Sequence, residues 1–417
     1  MKKATYLLIV LLIPIMAFTQ KSDEKKIKVN IYGFAKTDMF WDTRQTVSAR
    51  EGHFLLFPAP VKEDAAGEDI NDKANFNFLS IQSRVGISIS GPNVLNAKLS
   101  GKVEGDFFGQ LNTNIGLFRL RHAYVKLNWT STELLIGQYW NPMFVTDCFP
   151  GTVSFNTGSP FQPFARNPQI RLSHTMGIAK VMVVANSQSD YTSRGPNPLD
   201  PSKSIPSARF MRNSAIPEFS AQVQVKPTTN FLFGIGASYK QIVPQIVTPD
   251  NYKTDQAIGG YNAIAYLKLV TTKVTFKFQG IYGQNVPDVL MIGGFGVSDS
   301  TDKVKGYVEY ATINNFSIWT DIHTNGKKIR VGIFAGYSKN LGANEDIIGP
   351  IYGLGTTIES MYRVSPRVTF KYNKLKFALE GEYTVANYGS SYDSKGIPTD
   401  LTAASNFRML FATYYFF

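Results

Sequence analysis

The sequence is poor in cysteine, in charged residues and in long apolar runs. Its 417 residues include one cysteine, Cys148, and only 18% are Asp, Glu, Lys or Arg. A single cysteine cannot form a disulfide within the chain, which excludes a disulfide scaffold. The longest apolar run, residues 6–18, is too short to cross a bilayer core and has no counterpart elsewhere, which excludes a helical membrane protein. Aromatic residues make up 13% of the chain, too many for a disordered protein.

The formal net charge of +12 raises the question of a nucleic-acid partner. The N-terminus argues against one. Lys2 and Lys3 precede an apolar stretch, and the small residues Ala17 and Thr19 stand before Gln20, which predicts a signal peptide over residues 1–19. Its removal takes away two lysines and no acid, so the charge falls from +12 to +10. Residues 20–26 are predicted to form a short periplasmic stub, and we expect no nucleic acid to bind an exported chain.

Apolar and polar residues alternate with a period of two from residue 27 to the end of the chain. Val85, Ile87 and Ile89, for example, alternate with residues that are polar or glycine. About 16 such segments occur, most of them near the length of a membrane-spanning strand, and no useful helical period appears. Short turns such as residues 130–132 alternate with long, mostly polar connections such as residues 43–75 and 388–405. Short turns on one side and long loops on the other are typical of outer-membrane barrels.

The C-terminal segment supports the same fold, since Phe407, Phe411, Tyr415 and the final Phe417 share one face. A terminal aromatic of this kind resembles the assembly signal of bacterial outer-membrane barrels. We therefore predict an all-β fold, a transmembrane antiparallel β-barrel of about 16 strands over residues 27–417. A soluble β-sandwich explains the alternation but not the signal peptide, the loop lengths and the aromatic end together. The four tryptophans are predicted to lie near strand ends in aromatic girdles.

A barrel of this size leaves a water-filled lumen, so any narrowing element has to come from a loop. Residues 141–171 contain five phenylalanines and little net charge. We predict that this third outer loop folds into the lumen as a constriction and packs its phenylalanines against the wall. An external loop or a subunit contact is the alternative. Cys148 in this loop is predicted to be a buried, reduced thiol.

Charged residues on the polar faces of the strands are candidates for the pore lining. A ring of Arg or Lys favours anions, and Arg binds carboxylates through two hydrogen bonds. The alternative is that these charges pair with one another and hold the loop. The predicted pore-lining and constriction residues are Arg84, Lys102, Glu104, Asp106, Arg119, Arg121, Arg166, Arg171, Arg330, Arg363 and Arg367.

Three segments resemble the strand–loop–strand region of the DcaP-like outer-membrane porins. They are FRLRHAYVKL at 118–127, GQYW at 137–140 and ARNPQIRLSH at 165–174. The resemblance implies a homotrimer of 16-stranded barrels that passes small anionic solutes, dicarboxylates among them. It also implies that Arg119, Arg121, Arg166 and Arg171 are lumen arginines near the constriction. Some members carry a helical periplasmic extension, and the corresponding segment here is only residues 21–26.

The predicted function is passive diffusion of small polar, mainly anionic, solutes across the outer membrane of a Gram-negative cell. The expected partners are outer-membrane lipid, such solutes and two further copies of the chain, with no cofactor and no metal. A barrel enzyme, either a lipid hydrolase or a protease, is one alternative. The four histidines are scattered and no Gly-x-Ser-x-Gly motif occurs, so we expect no enzyme. An adhesin-like structural barrel that binds through loops 43–75 and 187–217 is the other.

Overall fold

The computed structural model describes residues 27–417, and sixteen antiparallel strands in it close into a barrel. β1 pairs with β2 on one side and with β16 on the other, which closes the sheet. The strands are β1 Lys28–Asp42, β2 Asn75–Leu79 and Arg84–Ser90, β3 Lys98–Asp106, β4 Arg119–Asn128, β5 Thr132–Trp140, β6 Arg166–Met176, β7 Ala179–Asn186, β8 Glu218–Thr228, β9 Phe231–Ile242, β10 Ile258–Val270, β11 Val274–Gln284, β12 Tyr307–Thr324, β13 Ile329–Ala343, β14 Ile358–Tyr372, β15 Leu375–Tyr392 and β16 Pro398–Phe416.

The signal peptide predicted for residues 1–19 and the stub predicted for residues 20–26 lie outside the described residues. Between residues 27 and 417 there is no helix long and apolar enough to span a membrane. The helical elements in this part of the chain are Asn112–Asn114, Arg209–Arg212 and Pro287–Val289.

The alternation in the sequence corresponds to the two faces of the barrel wall. Along β16, Leu410 and Ala412 are buried on the inside, while Met409, Phe411 and Tyr415 are exposed on the outside. Successive side chains of a strand point to opposite faces, so one apolar set lies on the outer surface. Lipid offers no hydrogen-bond partner to the backbone, and closure of the sheet satisfies these groups within the wall. The predicted all-β barrel of 16 strands is therefore confirmed.

The connections lie at two ends of the barrel, with residue 27 and the C-terminus at the end that carries the tight turns. The eight connections at the other end are loop 1 (residues 43–74), loop 2 (107–118), loop 3 (141–165), loop 4 (187–217), loop 5 (243–257), loop 6 (285–306), loop 7 (344–357) and loop 8 (393–397). We refer to the end with the tight turns as the turn end and to the other as the loop end.

Several strands differ in length from the prediction. The sequence indicated a long loop over residues 388–405, and this is wrong because β15 and β16 pair up to Tyr392 and Pro398. Glycine and serine at positions 389–391 interrupt the alternation of apolar and polar residues, but the backbone pairing of the two strands continues through them. Loops 6 and 7 contain the strands Gly293–Asp302 and Ile351–Leu354, which pair with each other and extend the sheet.

The main hydrophobic core lies inside the barrel, where side chains from loops 1, 3 and 6 pack against the wall. Trp319 is 1% exposed in this core, and Trp140 packs against loop 3. The prediction that all four tryptophans belong to aromatic girdles is therefore wrong for these two. Their positions near strand ends could not reveal that the lumen is filled by folded loops.

Candidate functional site

Loop 3 crosses the lumen and is hydrogen-bonded to the strands opposite its own ends. The backbone N–H groups of Val153 and Ser154 donate to the two carboxylate oxygens of Glu380 on β15, at 2.7 and 3.0 Å. The N–H of Gly151 donates to Asp321 on β12 at 3.1 Å. Each bond spans more than 150 residues of sequence, so the loop is folded inward. The predicted constriction loop is confirmed.

The aromatic side chains of loop 3 pack much as the sequence indicated. Phe144 stacks on Trp140 with ring centroids 3.9 Å apart, and Phe155 stacks on Phe108 at the same separation. Phe161 and Phe164 are also buried, whereas Phe149 is 37% exposed and borders open space. Cys148 is a buried free thiol whose Sγ–H donates to the carbonyl of Leu267 at 3.2 Å. Burial raises its pKa to about 11, which keeps the thiol protonated.

Loop 1 also enters the lumen, which the sequence analysis did not predict. Its hairpin, Thr46–Ala49 and Phe54–Pro58, packs beside loop 3. The carbonyl of Leu56 accepts from Arg363 at 2.6 Å, and that of Pro58 accepts from the hydroxyl of Tyr388 at 2.6 Å. Loop 1 as a whole is polar, and the one signal of burial was the run FLLFP at 54–58.

Arg363 and Arg367 on β14 hold these loops in place. Arg363 is fully buried, and its guanidinium donates to the carbonyls of Leu56 and Ser159 and to the hydroxyl of Thr384. Arg367 donates to the carboxylate of Asp321 at 3.0 Å, and Asp321 in turn accepts from loop 3. These contacts match the alternative in which the charges hold the loop.

The other wall of the lumen carries a denser set of charges, here called the arginine cluster. It comprises the cations Arg84, Lys102, Arg119, Arg121 and Arg166 and the carboxylates Glu104, Asp106 and Asp190. Asp106 is central, since Arg119 and Arg121 each donate to one of its oxygens at 2.9 and 2.8 Å.

A bulge in β4 helps to form this cluster. The register between β3 and β4 shifts so that Glu104 faces His122 while Gly105 faces Leu120, which leaves Arg121 as the extra residue. Arg121 and His122 therefore both point inward, although adjacent residues of a regular strand point to opposite faces. Arg121 donates to Glu104 at 3.0 Å as well as to Asp106. The alternation of apolar and polar residues in the sequence breaks at His122, the position where the structure contains this bulge.

Asp190 of loop 4 is the member of the cluster that sequence reasoning missed. Its carboxylate pairs with Arg166 and, at 3.2 Å, with Arg119. Burial alone would raise the pKa of Asp190, but the two guanidinium groups outweigh it and hold that pKa below its ordinary value. Because loop 4 carries no local pattern that indicates an inward turn, this pairing could be found only from the structure.

The arginine cluster has more donors than acceptors. Arg84 Nε, Arg119 Nη2 and both Nε and Nη2 of Arg166 are buried and have no hydrogen-bond partner among residues 27–417. The guanidinium of Arg166 lies 4.5 Å from the ring centroid of Trp140, which orients it. A cavity of about 400 Å³ is lined by Arg84, Lys102, Glu104 and Arg121, and Phe149 closes one side of it. Five cations against three carboxylates leave this wall net positive and short of anionic partners.

The two remaining predicted residues lie away from the cluster. Arg171 is buried next to Tyr139 and donates to the carbonyl of Trp140 at 2.6 Å and to Gln169. Arg330 is exposed at the turn end of the barrel and donates to the carbonyl of Gly326. The structure therefore brings seven of the eleven predicted residues together on one wall and disperses the other four, Arg171, Arg330, Arg363 and Arg367.

None of the four histidines, all within the described residues, is hydrogen-bonded to a serine or cysteine side chain. His53 bonds Asp38 at 2.8 Å, His174 bonds the hydroxyl of Thr132 and His323 bonds Asp321. His122 lies 3.9 Å from Glu104. Residues 27–417 also contain no group of three or more His, Cys, Asp or Glu that could hold a metal ion.

The chain is similar in structure to outer-membrane channels. No protein-family model matches the sequence, and no curated protein is detectably similar to it. The outer membrane channel DcaP of Acinetobacter baumannii has a TM-score of 0.68 at 15% identity, with 94% of this chain and 97% of that chain covered. OmpT of Vibrio cholerae has a TM-score of 0.55 at 12% identity, covering 95% and 99%.

An anion-selective porin from Comamonas acidovorans also has a TM-score of 0.55, at 10% identity, covering 94% and 100% of the two chains. At these identities the likeness concerns the fold. It agrees with the resemblance to DcaP-like porins that the sequence suggested, and with a 16-stranded barrel of the outer-membrane type.

Proposed function

We propose that this chain is an outer-membrane porin through which small polar solutes, mainly anionic ones, diffuse passively. The observation that carries the proposal is the arginine cluster, with five cations, three carboxylates and unpaired guanidinium N–H groups on Arg84, Arg119 and Arg166, of which Arg84 lines a cavity in the lumen. Buried donors without partners favour a ligand that accepts hydrogen bonds and carries negative charge. A carboxylate meets both requirements, and a cation does not.

The roles of the predicted residues follow from their contacts. Arg84, Lys102, Arg119, Arg121 and Arg166 attract the solute, and Glu104 and Asp106 orient their guanidinium groups. Arg363 and Arg367 maintain the constriction indirectly, because they hold loops 1 and 3. Arg330 contributes positive charge at the turn end. Arg171 supports the wall behind Tyr139.

A homotrimer in the outer membrane is the assembly that we infer. Loop 2 is short and apolar, with Leu111 64% exposed and Leu117 61% exposed in the single chain. Apolar side chains at the loop end of a barrel are poorly placed in water, and contact with a second copy would cover them. The resemblance to DcaP-like porins also favours a trimer. Export by a signal peptide over residues 1–19 belongs to the same proposal and places the turn end in the periplasm.

The enzyme and adhesin alternatives have less support. No histidine in residues 27–417 contacts a serine or cysteine nucleophile, which a hydrolase of the Ser–His type needs. Loop 1, one of the two loops considered for adhesion, turns its hairpin into the lumen and bonds it to the wall. We therefore infer a channel without enzymatic activity.

The proposal is tested by uptake into liposomes that contain the purified protein. A dicarboxylate and a diamine of equal chain length are compared, since they differ in charge and little in size. We expect the dicarboxylate to enter several-fold faster and Arg166→Ser to reduce that preference. Lys203→Ser is the matched control. Lys203 is 73% exposed in loop 4, so this substitution removes one positive charge outside the cluster. Equal uptake of both solutes by the unmodified protein would exclude the anionic preference.

A further inference from the structure

A second basic site lies at the turn end of the lumen, on the wall away from the arginine cluster. It is a pocket of about 310 Å³ between the ends of β11 to β15, and Phe149 and Gly151 of loop 3 form its inner boundary. Seven cationic side chains line it, among them Lys277, Lys327, Lys328, Arg330, Arg367 and Lys376. We call it the lysine pocket. No aspartate or glutamate is among its lining residues.

The charges of the lysine pocket are neutralised much less than those of the arginine cluster. Lys277 Nζ donates to the carbonyl of Phe149 at 2.8 Å, a neutral partner. Arg330 donates to the carbonyl of Gly326, also neutral. Arg367 uses Nη2 on Asp321, and its buried Nη1 has no partner among residues 27–417. Two neighbouring carboxylates, Asp321 and Glu380, thus face seven cations, compared with three for five in the arginine cluster.

We propose that the lysine pocket binds the phosphate group of a small anionic solute at the periplasmic mouth of the channel. A phosphate monoester carries about −1.5 to −2 charges at neutral pH and three acceptor oxygens, so it suits a site with several cations and no acid. Lysine ammonium groups bind phosphate as point charges and guanidinium groups bind it through two hydrogen bonds, and the pocket contains both kinds of cation. The hydroxyl of Thr369, also in the lining, offers a further donor.

This inference rests on the proposed channel function and deepens it. A solute that passes the arginine cluster has to leave through the turn end, where the lysine pocket lies. A site there that prefers multivalent anions would retain phosphate-bearing solutes longer than monocarboxylates. We expect inorganic phosphate to reduce the chloride current through the channel at lower concentration than succinate does.

The test compares two triple variants that remove the same charge. Lys327→Gln/Lys328→Gln/Arg330→Gln alters the lysine pocket at three exposed positions of the β12–β13 turn region. Lys226→Gln/Lys273→Gln/Lys374→Gln alters three exposed positions at the same end of the barrel that are outside the pocket lining. We expect the half-blocking concentration of inorganic phosphate to rise about tenfold or more in the first variant, which corresponds to about 1.4 kcal/mol. In the second variant it should stay within about twofold.

Two outcomes would overturn the inference. One is that phosphate and succinate block the unmodified channel at equal concentration. The other is that both triple variants shift the block equally, which would indicate a general field at the barrel end. Phosphate binding is also measured by ³¹P NMR on the detergent-solubilised protein, which does not depend on conduction. The unmodified protein could lack anion preference and still broaden the phosphate signal, with the broadening lost only in the first variant. That result would refute the proposed function and retain phosphate binding in the lysine pocket.

Discussion

Glu380 should control how firmly loop 3 closes the lumen. Its carboxylate is fully buried and accepts the backbone N–H groups of Val153 and Ser154, at 2.7 and 3.0 Å. A hydrogen bond contributes about 0.5–1.5 kcal/mol net, so loss of these two through Glu380→Ala removes about 1–3 kcal/mol from the closed position of the loop. Even the lower figure changes the ratio of closed to displaced loop about fivefold.

The barrel itself should survive this substitution. Loop 3 keeps its bonds from Gly151 to Asp321 and from Asn156 to Glu382, and Arg363 still donates to Ser159. We expect partial displacement of the loop rather than unfolding. Single-channel recordings should therefore show a larger conductance level or marked open-channel noise that the unmodified protein lacks.

Glu359→Ala is the matched control for this measurement. Glu359 belongs to the neighbouring strand β14, and its carboxylate pairs with Lys339 rather than with loop 3. The control removes the same side chain from the neighbouring strand and should leave conductance and noise unchanged. If the folded Glu380→Ala protein has the same conductance and noise as this control, the reasoning that these two bonds hold the constriction is refuted.

Three further predictions concern the lumen. Arg166→Ser should reduce anion preference, measured as the reversal potential in a KCl gradient, more than Arg171→Ser does. The reason is that Arg166 pairs with a carboxylate of the cluster, whereas Arg171 donates to Trp140 and Gln169. Equal shifts in the two variants would contradict the division between cluster and wall. Asp190→Asn should increase anion preference at pH 7. Lowering the pH from 7 to 5 should not raise the anion preference of the unmodified protein to that of the variant. The pKa of Asp190 is held below its ordinary value of about 3.9, so the carboxylate stays ionised at pH 5. Gly336→Val should displace loop 3, since a Cβ at Gly336 would lie 2.6 Å from Phe161 Cγ. We expect increased protease cleavage within residues 141–165. Unchanged cleavage would show that the ring of Phe161 can move aside without displacing the loop.

The wall of the barrel was predictable because its signals are local. Alternation with a period of two and regular turn spacing are properties of short segments, and they gave the strand number. The inward fold of loop 3 was also predictable, because Phe144, Phe155, Phe161 and Phe164 are too apolar for an external loop. The prediction was wrong over residues 388–405, where small and polar residues continue both strands of a long hairpin.

The contents of the lumen were harder to predict because they depend on distant contacts. The bond from Arg363 to Leu56 joins residues that are 307 positions apart, and nothing near Leu56 indicates a partner on β14. Asp190 joins the arginine cluster in the same way, from a long loop without regular pattern. The polar faces of the strands identified these charges as candidates, but their division between holding loops and facing open space needed the structure.

The central claim is that the lumen selects anions, and the most direct measurement of it is the zero-current potential of single channels in a tenfold KCl gradient. Potassium and chloride have nearly equal mobility in water, so the potential reports selectivity with little contribution from diffusion. The net-positive arginine cluster and the lysine pocket predict a potential with the sign that chloride permeation produces. This potential should be smaller at high salt, because salt screens the charges of the lumen. A potential of the opposite sign, or none at any salt concentration, would contradict the account.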